Sequence, residues 1–365
     1  MGSVRTGLDV FRREAWGKFT GKRLGILANQ ASVDASLCPT AQVVEECLPG
    51  SVAALFGPQH GYRGEDQDNM VETSNAEDPL LRVPIFSLYS DTREPLPHML
   101  ENLDLLLVDL QDVGTRVYTF ASTVKNCLQA CAVHGVRAVV LDRPNPLGGV
   151  RIEGNILDPA CFSFVGPARI PMRHGLTLGE LALFLNDECG IGCGLEILPM
   201  YGWHRGMPWK ETGLRWLMPS TNMPCPETAA VYPGQVIWEG TNVSEGRGTC
   251  RPFEIFGAPF LDASAVRKAL DPAALRGCHL QDYMFRPTFH KWSRELCRGF
   301  MLHVIDPELY EPYYTSLCLL QAVFEVHPDH FKWRDPPYEY EYEKAPIDLI
   351  LGDRELRIHL ESGMK

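Results

Sequence analysis

The most constraining stretch of this sequence is a short apolar run that passes directly into polar residues. Residues 105–108 read Leu-Leu-Leu-Val, a pattern typical of a strand buried on both faces of a parallel sheet. In open α/β sheets, ligands bind outside the carboxyl ends of the strands, so polar residues at this end indicate a binding site. The polar residues that follow are Asp109, Gln111, Asp112, Arg116 and Tyr118.

The first two-thirds of the chain alternates between strand-like and helix-like patterns. Such alternation predicts βαβ units around a parallel sheet. Thr177 and Glu180 form a capping-box pattern ahead of an apolar run, which predicts the start of a helix. The predicted strands are Leu24–Ala28, Val52–Phe56, Pro84–Leu88, Leu105–Leu110, Ala138–Leu141 and Leu195–Leu198. The predicted helices are Thr40–Cys47, Leu96–Asn102, Phe120–His134 and Thr177–Glu188.

The composition changes after Trp216, where proline and glycine become frequent. We therefore predict an α/β fold with a Rossmann-like parallel-sheet domain over residues 1–218 and a smaller α+β domain over residues 219–365. The alternating stretch Tyr338–Glu343 suits an edge strand or an extended arm. Helices in the second domain are predicted at Leu261–Leu270 and Glu311–Val323.

Charge and targeting patterns narrow the class of protein. The formal net charge of −12 argues against a nucleic-acid partner, because such proteins need a basic surface. No apolar run is long enough to span a membrane, and the first residues lack the apolar core of a signal peptide. We therefore expect a cytoplasmic protein without a membrane partner. The twelve cysteines show no zinc-site spacing and are expected to be buried thiols in a reducing compartment.

Polar residues follow five of the predicted strands, and the parallel arrangement would gather them at one edge of the sheet. Loops after parallel strands are often polar without any ligand, but five coincident polar loops favour a site. Amides, hydroxyls, carboxylates and guanidinium groups are all present, which suits a polyhydroxylated, partly anionic ligand. The residues are Asn29, Gln30, Gln59, His60, Arg63, Tyr89, Ser90, Asp91, Asp109, Gln111, Asp112, Asp142, Arg143 and Asn145.

The sequence gives no pattern for a nucleotide cofactor, and we expect no cofactor. The first strand is followed by Asn29-Gln30-Ala31 without the glycine turn of a dinucleotide site, and no P-loop pattern occurs. No close pair of histidines suggests zinc. A Mg²⁺ or Ca²⁺ site built from aspartates stays open as an alternative, because oxygen-ligand sites leave weaker sequence traces. The residues considered for a metal are His60, Asp109, Asp112, Asp142 and His174.

A second polar stretch, Glu239–Thr249, lies in the predicted second domain. Its glycines, hydroxyls and carboxylates are typical of a loop that binds a ligand. Arg247 is suited to bidentate binding of a carboxylate. Asn242 begins a glycosylation pattern, which we discount because nothing indicates secretion. Other candidates are His174, which precedes the capped helix, and Asn222; the tryptophans 203, 209, 216 and 238 suit either sugar stacking or core packing.

Four of these stretches resemble the YbbC/NamZ-type exo-β-N-acetylmuramidases, and the resemblance extends over nearly the whole chain. It implies a Rossmann-like N-terminal domain, a smaller C-terminal domain and an active cleft between them. It also implies release of N-acetylmuramic acid from the non-reducing ends of peptidoglycan fragments, consistent with cell-wall recycling. The stretches that carry the resemblance are Phe56–Gly64, Asp109–Thr119, Leu141–Gly149 and Glu239–Thr249.

One position departs from the family pattern. The family turn typically reads Gly-Pro-Glu-His-Gly, and its glutamate is a favoured catalytic candidate, whereas this chain has Gln59. An amide does not exchange a proton at neutral pH, so Gln59 can orient a substrate but cannot be the general acid. Three interpretations stay open: another carboxylate acts, the chain cleaves a different linkage, or it only binds. Glu65 and Glu72 follow in the same loop.

Glycoside hydrolysis usually needs two carboxyl groups on either side of the scissile bond. We expect Glu239 or Glu245 to face Asp109 or Asp112, with His60 tuning or relaying a proton. The substrate-binding candidates are Gln59, Arg63, Gln111, Arg116, Tyr118, Arg143, Asn145, His174, Asn222, Asn242 and Arg247. The substrate is expected to be a small amino sugar or muropeptide. The alternatives are a catalytically silent sugar-binding protein and a metal-dependent hydrolase.

Overall fold

The structure is a computed structural model that describes residues 3–362. By their internal contacts, these residues form two compact units. Unit 1 contains the chain up to Gly114, Tyr118–Val150 and Gly175–Thr221. Unit 2 contains Thr115–Val117, Arg151–His174 and the chain from Asn222 onwards. This partition differs from a single division after residue 218, because two earlier segments pack with the later residues; the domain boundaries stay a prediction.

The described residues form twelve β-strands. All six predicted strands are present: two have the predicted bounds, and the other four differ from them by one residue at one end. In chain order the strands are β1 Leu24–Ala28, β2 Val52–Gly57, β3 Ala76–Glu77, β4 Pro84–Ser87, β5 Leu105–Asp109, β6 Arg137–Leu141, β7 Glu153–Ile156, β8 Pro171–Arg173, β9 Leu195–Leu198, β10 Ile255–Ala258, β11 Cys278–Phe285 and β12 Cys297–Val304.

Ten α-helices occur within residues 3–362. Thr177 caps the predicted helix through its side chain, and Glu180 completes the capping box, as the sequence pattern indicated. In chain order the helices are α1 Gly7–Val10, α2 Thr40–Cys47, α3 Pro97–Leu100, α4 Phe120–His134, α5 Leu178–Glu188, α6 Pro226–Gln235, α7 Ala263–Ala269, α8 Pro312–Val326, α9 Pro346–Leu351 and α10 Glu355–Glu361.

Unit 1 is built on a seven-stranded sheet in the order β3-β4-β2-β1-β5-β6-β9. All neighbouring strands are parallel except β3, which runs antiparallel to β4. Strands β2, β4 and β3 lie on one side of β1, and strands β5, β6 and β9 lie on the other side. The switch point therefore lies between β1 and β5, where ligands bind in sheets of this kind. This arrangement confirms the predicted α/β class with a mostly parallel sheet.

The central strands explain why the apolar runs were informative. Every residue of β1 and β5 is buried, as is typical of the central strands of a parallel sheet. Ile26 and Leu107, which face each other in register, belong to a core cluster that also contains Phe11. The polar residue Asp109 is the last residue of β5 and is buried too.

Unit 2 contains an antiparallel sheet in the order β10-β12-β11, together with the small pair β7-β8. Gly257 of β10 pairs with Gly299 of β12, and a Cβ on Gly299 would lie 2.0 Å from the Phe256 carbonyl oxygen. The strands therefore approach more closely here than side chains would permit. The Trp238 indole stacks on the Phe256 ring at 4.8 Å, and Phe256 contacts Phe300 at 5.5 Å. Trp238 is thus a core residue of unit 2.

The prediction of an edge strand or extended arm at Tyr338–Glu343 is wrong. The segment forms a tight turn in which Tyr338 and Glu341 exchange backbone hydrogen bonds of 2.9 and 3.0 Å. Glu339 and Tyr340 take positive φ values of 46° and 66°, which a strand does not allow. Tyr338 is buried and donates a hydrogen bond to a carboxylate, and this contact outweighs the period-2 pattern.

Some predicted helix bounds also needed correction. The helix predicted at Leu96–Asn102 is only Pro97–Leu100, and the one predicted at Leu261–Leu270 is Ala263–Ala269. The helix predicted at Glu311–Val323 begins at Pro312, a residue suited to a first turn, and continues to Val326. None of the helices within residues 3–362 has the length and apolar character needed to cross a membrane.

Candidate active site

Asp109 is the centre of a buried polar cluster in unit 1. Its carboxylate accepts two hydrogen bonds from Arg143, from Nε at 2.5 Å and Nη2 at 2.9 Å, and another from the Thr40 hydroxyl. Arg143 also donates to the Val33 carbonyl at 2.8 Å. Asp109 has no exposed surface, and Arg143 is 6% exposed. Both side chains are therefore used in holding the strand ends together, which leaves Asp109 poorly placed to exchange a proton with a substrate.

The loop after β5 is held by side chains that the sequence analysis had assigned to substrate. The Gln111 amide donates to the carbonyls of Asp112 and Pro144, both at 2.8 Å. Asp112 accepts from the Gly114 backbone at 2.6 Å. Gly114 has φ +77°, and a Cβ there would lie 2.4 Å from the Asn145 amide oxygen. Only glycine suits this position, and Gln111 and Asn145 act as braces within the loop.

Gln59, at the position where the family has glutamate, is buried at the carboxyl end of β2. Its amide oxygen accepts a hydrogen bond from the Thr119 hydroxyl at 2.7 Å. The adjacent His60 is in the left-handed region at φ +73°, and its Nδ1 lies 2.9 Å from the Asp66 carbonyl oxygen. A carbonyl only accepts, so Nδ1 carries a proton and donates it. Tyr118 is buried, which raises the pKa of its hydroxyl, although a hydrogen bond with Ser220 opposes that shift.

Two of the predicted substrate arginines have other partners. Arg116 is fully buried, and its guanidinium donates to the carbonyls of Asn155, Ile170, Ile350 and Leu351 at 2.8–3.1 Å. Burial lowers the pKa of this guanidinium to about 10, which leaves it charged at neutral pH. Arg63 forms an ion pair with Asp78 at 2.9 Å on the surface of unit 1. We therefore assign Arg116 a structural role in unit 2.

Asp142 follows β6 and is also used within the fold. It accepts hydrogen bonds from the backbone of Gly179 at 2.8 Å, the Thr177 hydroxyl at 2.9 Å and the Arg143 backbone at 3.0 Å. Burial raises its pKa to about 6 despite these three bonds. This residue connects the end of β6 to the start of α5.

In unit 2 the stretch Glu239–Thr249 places two buried carboxylates in one network. Glu239 accepts from Arg247 Nη2 at 2.6 Å and from the Tyr338 hydroxyl at 2.6 Å. Arg247 Nε also lies 3.3 Å from the other carboxylate, Glu245. Arg247 therefore bridges the two glutamates, and its guanidinium lies over the Phe253 ring at 5.1 Å. Burial raises the pKa of Tyr338, so its hydroxyl stays protonated as a donor.

Glu245 is in contact with a lysine, a histidine and an arginine. Lys291 Nζ donates to it at 2.8 Å, and His290 Nδ1 lies 3.3 Å from its other oxygen. Lys291 also donates to the carbonyls of Trp238 at 2.7 Å and Val243 at 3.1 Å, which uses all three protons of the ammonium. Burial alone would raise the pKa of Glu245, but Lys291, His290 and Arg247 together lower it to about 2. Glu245 is therefore ionised at neutral pH, a form that can accept a proton or stabilise positive charge but cannot donate a proton.

The loop itself is held rigidly. Gly248 has φ +77°, and a Cβ there would lie 2.7 Å from the Phe289 carbonyl oxygen. Asn242 donates from its side chain to the His330 carbonyl at 2.9 Å and accepts from the Lys332 backbone at 3.0 Å. Asn242 thus braces the loop through its side chain.

Next to the ionised Glu245 is an open cavity of about 430 Å³. We call it the unit 2 cavity; its lining residues are Thr241, Asn242, His290, Lys291, Trp292 and Arg334. Five residues of this cavity and network were not among the candidates predicted from the sequence: His290, Lys291, Trp292, Arg334 and Tyr338. A weak signal existed, since residues 289–292 read Phe-His-Lys-Trp in an otherwise irregular segment.

The residues considered for a metal do not gather around one point. No group of three or more histidine, cysteine, aspartate or glutamate side chains within residues 3–362 is arranged to hold a metal ion. His174 and Asn222 are both buried in unit 2. In unit 1, Trp209 packs edge-on against Trp216 at 4.9 Å, which is core packing.

Comparisons with known proteins cover both halves of the chain. Two family models match, described as exo-beta-N-acetylmuramidase NamZ, N-terminal, over residues 24–227, and the C-terminal counterpart over residues 230–365. The peptidoglycan beta-N-acetylmuramidase NamZ of Bacillus subtilis strain 168 is 39% identical over 360 residues, which is 99% of this chain and 85% of that protein.

Solved structures agree on the fold. Two DUF1343 family proteins from Bacteroides fragilis NCTC 9343 superpose with TM-scores of 0.89 and 0.77, at 32% and 26% identity. Each comparison covers 100% of this chain and 92% of the other. The chain is thus similar to these proteins over its whole length.

Proposed function

The chain belongs to the NamZ family of exo-beta-N-acetylmuramidases, and from this membership we propose that it releases N-acetylmuramic acid from the non-reducing ends of peptidoglycan fragments. The observation that carries the proposal is the match of both family models together with the buried carboxylate network of unit 2. That network is built from the same stretch, Glu239–Thr249, that carries the resemblance. The chain is accordingly a glycosidase that acts on a small amino-sugar substrate.

In this proposal the unit 2 network supplies negative charge to the reaction. Glycoside hydrolysis passes through a transition state that resembles an oxocarbenium ion, and a carboxylate stabilises it by charge or by direct attack. Glu245 is suited to this role because its neighbours keep it ionised. Glu239 lies in the same network, where it accepts hydrogen bonds from Arg247 and Tyr338.

The proton donor is then a different group. Gln59 is excluded by its chemistry, and Asp109 is committed to Arg143 and Thr40. Asp112 and His60 are the remaining candidates from the predicted set, and we propose that one of them serves. That a single substrate molecule contacts residues of both units stays a prediction of the family resemblance.

The test is a pair of chromogenic substrates, para-nitrophenyl β-N-acetylmuramic acid and its N-acetylglucosamine analogue. We expect release of para-nitrophenol from the first and little from the second, because the two differ only in the lactyl ether. Asp112→Asn and His60→Gln are then assayed on para-nitrophenyl β-N-acetylmuramic acid and on an unactivated peptidoglycan fragment. The donor variant should lose far more activity on the fragment, because para-nitrophenolate leaves without protonation. The proposal would be wrong if the intact protein released para-nitrophenol from neither substrate. If calorimetry still detected binding of N-acetylmuramic acid, the chain would be a sugar-binding protein.

A cytoplasmic setting is also proposed. All twelve cysteines of the sequence lie within the described residues and are free thiols. Thiols in this number persist unpaired where the compartment is reducing. Fractionation of cells that express the protein would place it with cytoplasmic markers, and recovery in a secreted or surface fraction would contradict this setting.

A further inference from the structure

The unit 2 cavity has the size and the lining of a small-ligand site. Its volume of about 430 Å³ falls in the range of pockets that hold small molecules. One wall is the indole of Trp292, and the other side chains include a histidine, a lysine and an arginine. Such a combination of an aromatic face with cations suits a ligand that has both a ring and a negative charge.

Three basic side chains in or behind the cavity, Lys291, Arg247 and Arg334, differ in whether a carboxylate is paired with them. Lys291 is paired with Glu245 at 2.8 Å, and behind the cavity Arg247 is paired with Glu239 at 2.6 Å. Arg334 takes part in no ion pair within residues 3–362, and its Nη1 is buried without a hydrogen-bond partner there. A buried donor without a partner is costly, so the guanidinium is suited to an acceptor that a ligand brings.

Arg334 is nevertheless held in place. Its backbone nitrogen donates to the Gly240 carbonyl at 2.9 Å, and its guanidinium lies over the Tyr338 ring at 5.8 Å. Tyr338 in turn donates to Glu239, so Arg334 is supported by the same network that contains the two glutamates. These two contacts support the Arg334 side chain beside the cavity.

Trp292 is fixed in a similar way. Its indole nitrogen donates to the Asn242 carbonyl at 2.6 Å, and its ring packs edge-on against Phe260 at 6.2 Å. The hydrogen bond and the ring contact hold the indole, and Trp292 lines the cavity. A flat apolar face of this kind packs against the apolar side of a pyranose ring.

We propose that the unit 2 cavity binds the N-acetylmuramic acid unit, with the Arg334 guanidinium taking the lactyl carboxylate and the Trp292 indole packing against the sugar ring. The proposal rests on the proposed function for the choice of sugar, and it names the residues that recognise that sugar. The four arginines predicted for this task, at positions 63, 116, 143 and 247, are engaged with other groups. Arg334 replaces them because the described residues leave its charge without an anion.

The test is a thermodynamic cycle measured by calorimetry on the full chain. N-acetylmuramic acid and its neutral lactyl methyl ester are each titrated into the wild-type protein and into Arg334→Met. For the acid, we expect the substitution to weaken binding about 10- to 100-fold, the effect of a lost charge-assisted hydrogen bond, and for the ester we expect a change below about threefold. Arg334→Lys should recover part of the affinity for the acid, and Arg276→Met, which removes an exposed arginine of the same unit, should leave it unchanged.

The cycle separates recognition from structural support. If Arg334 only supported Tyr338, the acid and the ester would lose affinity equally, and the proposal would be overturned. Absence of any binding of N-acetylmuramic acid to the wild-type protein would overturn it as well. The chromogenic assay tests the proposed function separately. If the protein hydrolyses the substrate but Arg334→Met does not weaken binding of the acid selectively, only the cavity proposal is wrong. If Arg334→Met weakens binding of the acid selectively but the protein hydrolyses nothing, the proposed activity is wrong and the binding site is retained.

Discussion

Asp109 in unit 1 and Glu245 in unit 2 are both fully buried carboxylates that face an arginine, yet they differ in what surrounds the pair. Asp109 is enclosed by Arg143 and Thr40, and both of its oxygens are bonded to them. Glu245 is in contact with Lys291 and His290, which line an open cavity of about 430 Å³. Burial and pairing alone therefore do not mark a catalytic carboxylate. The two pairs differ in the cavity beside them: Arg143 lines one of about 100 Å³, whereas Lys291 and His290 line one of about 430 Å³.

Among the tests of this comparison, Glu239→Gln is expected to have the largest effect on activity. Loss of this carboxylate charge should lower kcat/KM on the muramic substrate by up to about 10⁴-fold, because the network would no longer stabilise the positive transition state. The measurement is steady-state kinetics at neutral pH. The matched control is Glu254→Gln, since Glu254 is a buried glutamate of the same unit that also contacts an arginine, at 3.1 Å, and a hydroxyl, at 2.6 Å. Equal losses in both variants would assign the effect to folding.

The next effect concerns stability in unit 1. Asp109→Asn leaves the Arg143 guanidinium buried without its counter-charge, and the free energy of unfolding should fall by about 3–5 kcal/mol. Adding Arg143→Met should restore most of that loss, because removing both members of a buried ion pair is far less costly than removing one. Urea denaturation followed by circular dichroism measures both variants. No recovery in the double variant would show that Asp109 acts through other partners.

Glu245 predicts a dependence of stability on pH. Its folded pKa of about 2 lies below the ordinary value of 4.5, so the ionised form is favoured by the fold. The associated stabilisation is complete above pH 4.5 and is lost as the pH falls towards 2, with a magnitude of about 3 kcal/mol. The free energies of unfolding of the wild type and of Glu245→Gln should therefore converge as the pH is lowered through this window. Parallel profiles over the same pH range would contradict the ionised state of Glu245.

The smallest effect is expected from Gln59→Glu, which restores the family residue. A glutamate can accept the same hydrogen bond from Thr119, so the fold should tolerate it. Because this account places the proton donor at another residue, kcat/KM should change by less than about tenfold. A gain of two orders of magnitude or more would show that the donor belongs at position 59 and that the natural chain is impaired there.

Local patterns predicted the elements of unit 1 well. The run before Asp109 is a central strand, and the Thr177–Glu180 pattern begins a helix as a capping box. These features are encoded over a few residues, by hydrophobic periodicity and by cap chemistry. The polar strand ends were also found, although the structure shows that Gln111 and Asn145 brace the loops through backbone contacts.

The site in unit 2 was harder to predict because its contacts join distant parts of the chain. Tyr338 is 99 residues from Glu239, and Lys291 is 46 residues from Glu245. A local hydrophobic pattern cannot predict contacts between residues so far apart in the sequence. The alternating stretch around Tyr338 suggested a strand, whereas the chain makes a buried turn there. The arginines were misassigned for the same reason: a guanidinium that binds four carbonyls, as Arg116 does, looks in sequence like one that binds substrate.

The most direct test of the difference between the two carboxylates uses two double variants, Glu245→Gln with Lys291→Met and Asp109→Asn with Arg143→Met. Each removes both members of a buried ion pair, which costs far less stability than removing one member. The measurement is kcat/KM on para-nitrophenyl β-N-acetylmuramic acid at equal concentrations of folded protein. We predict a loss of at least about 10²-fold for the unit 2 variant and less than about tenfold for the unit 1 variant. The reverse order would contradict the account and place the chemistry at Asp109.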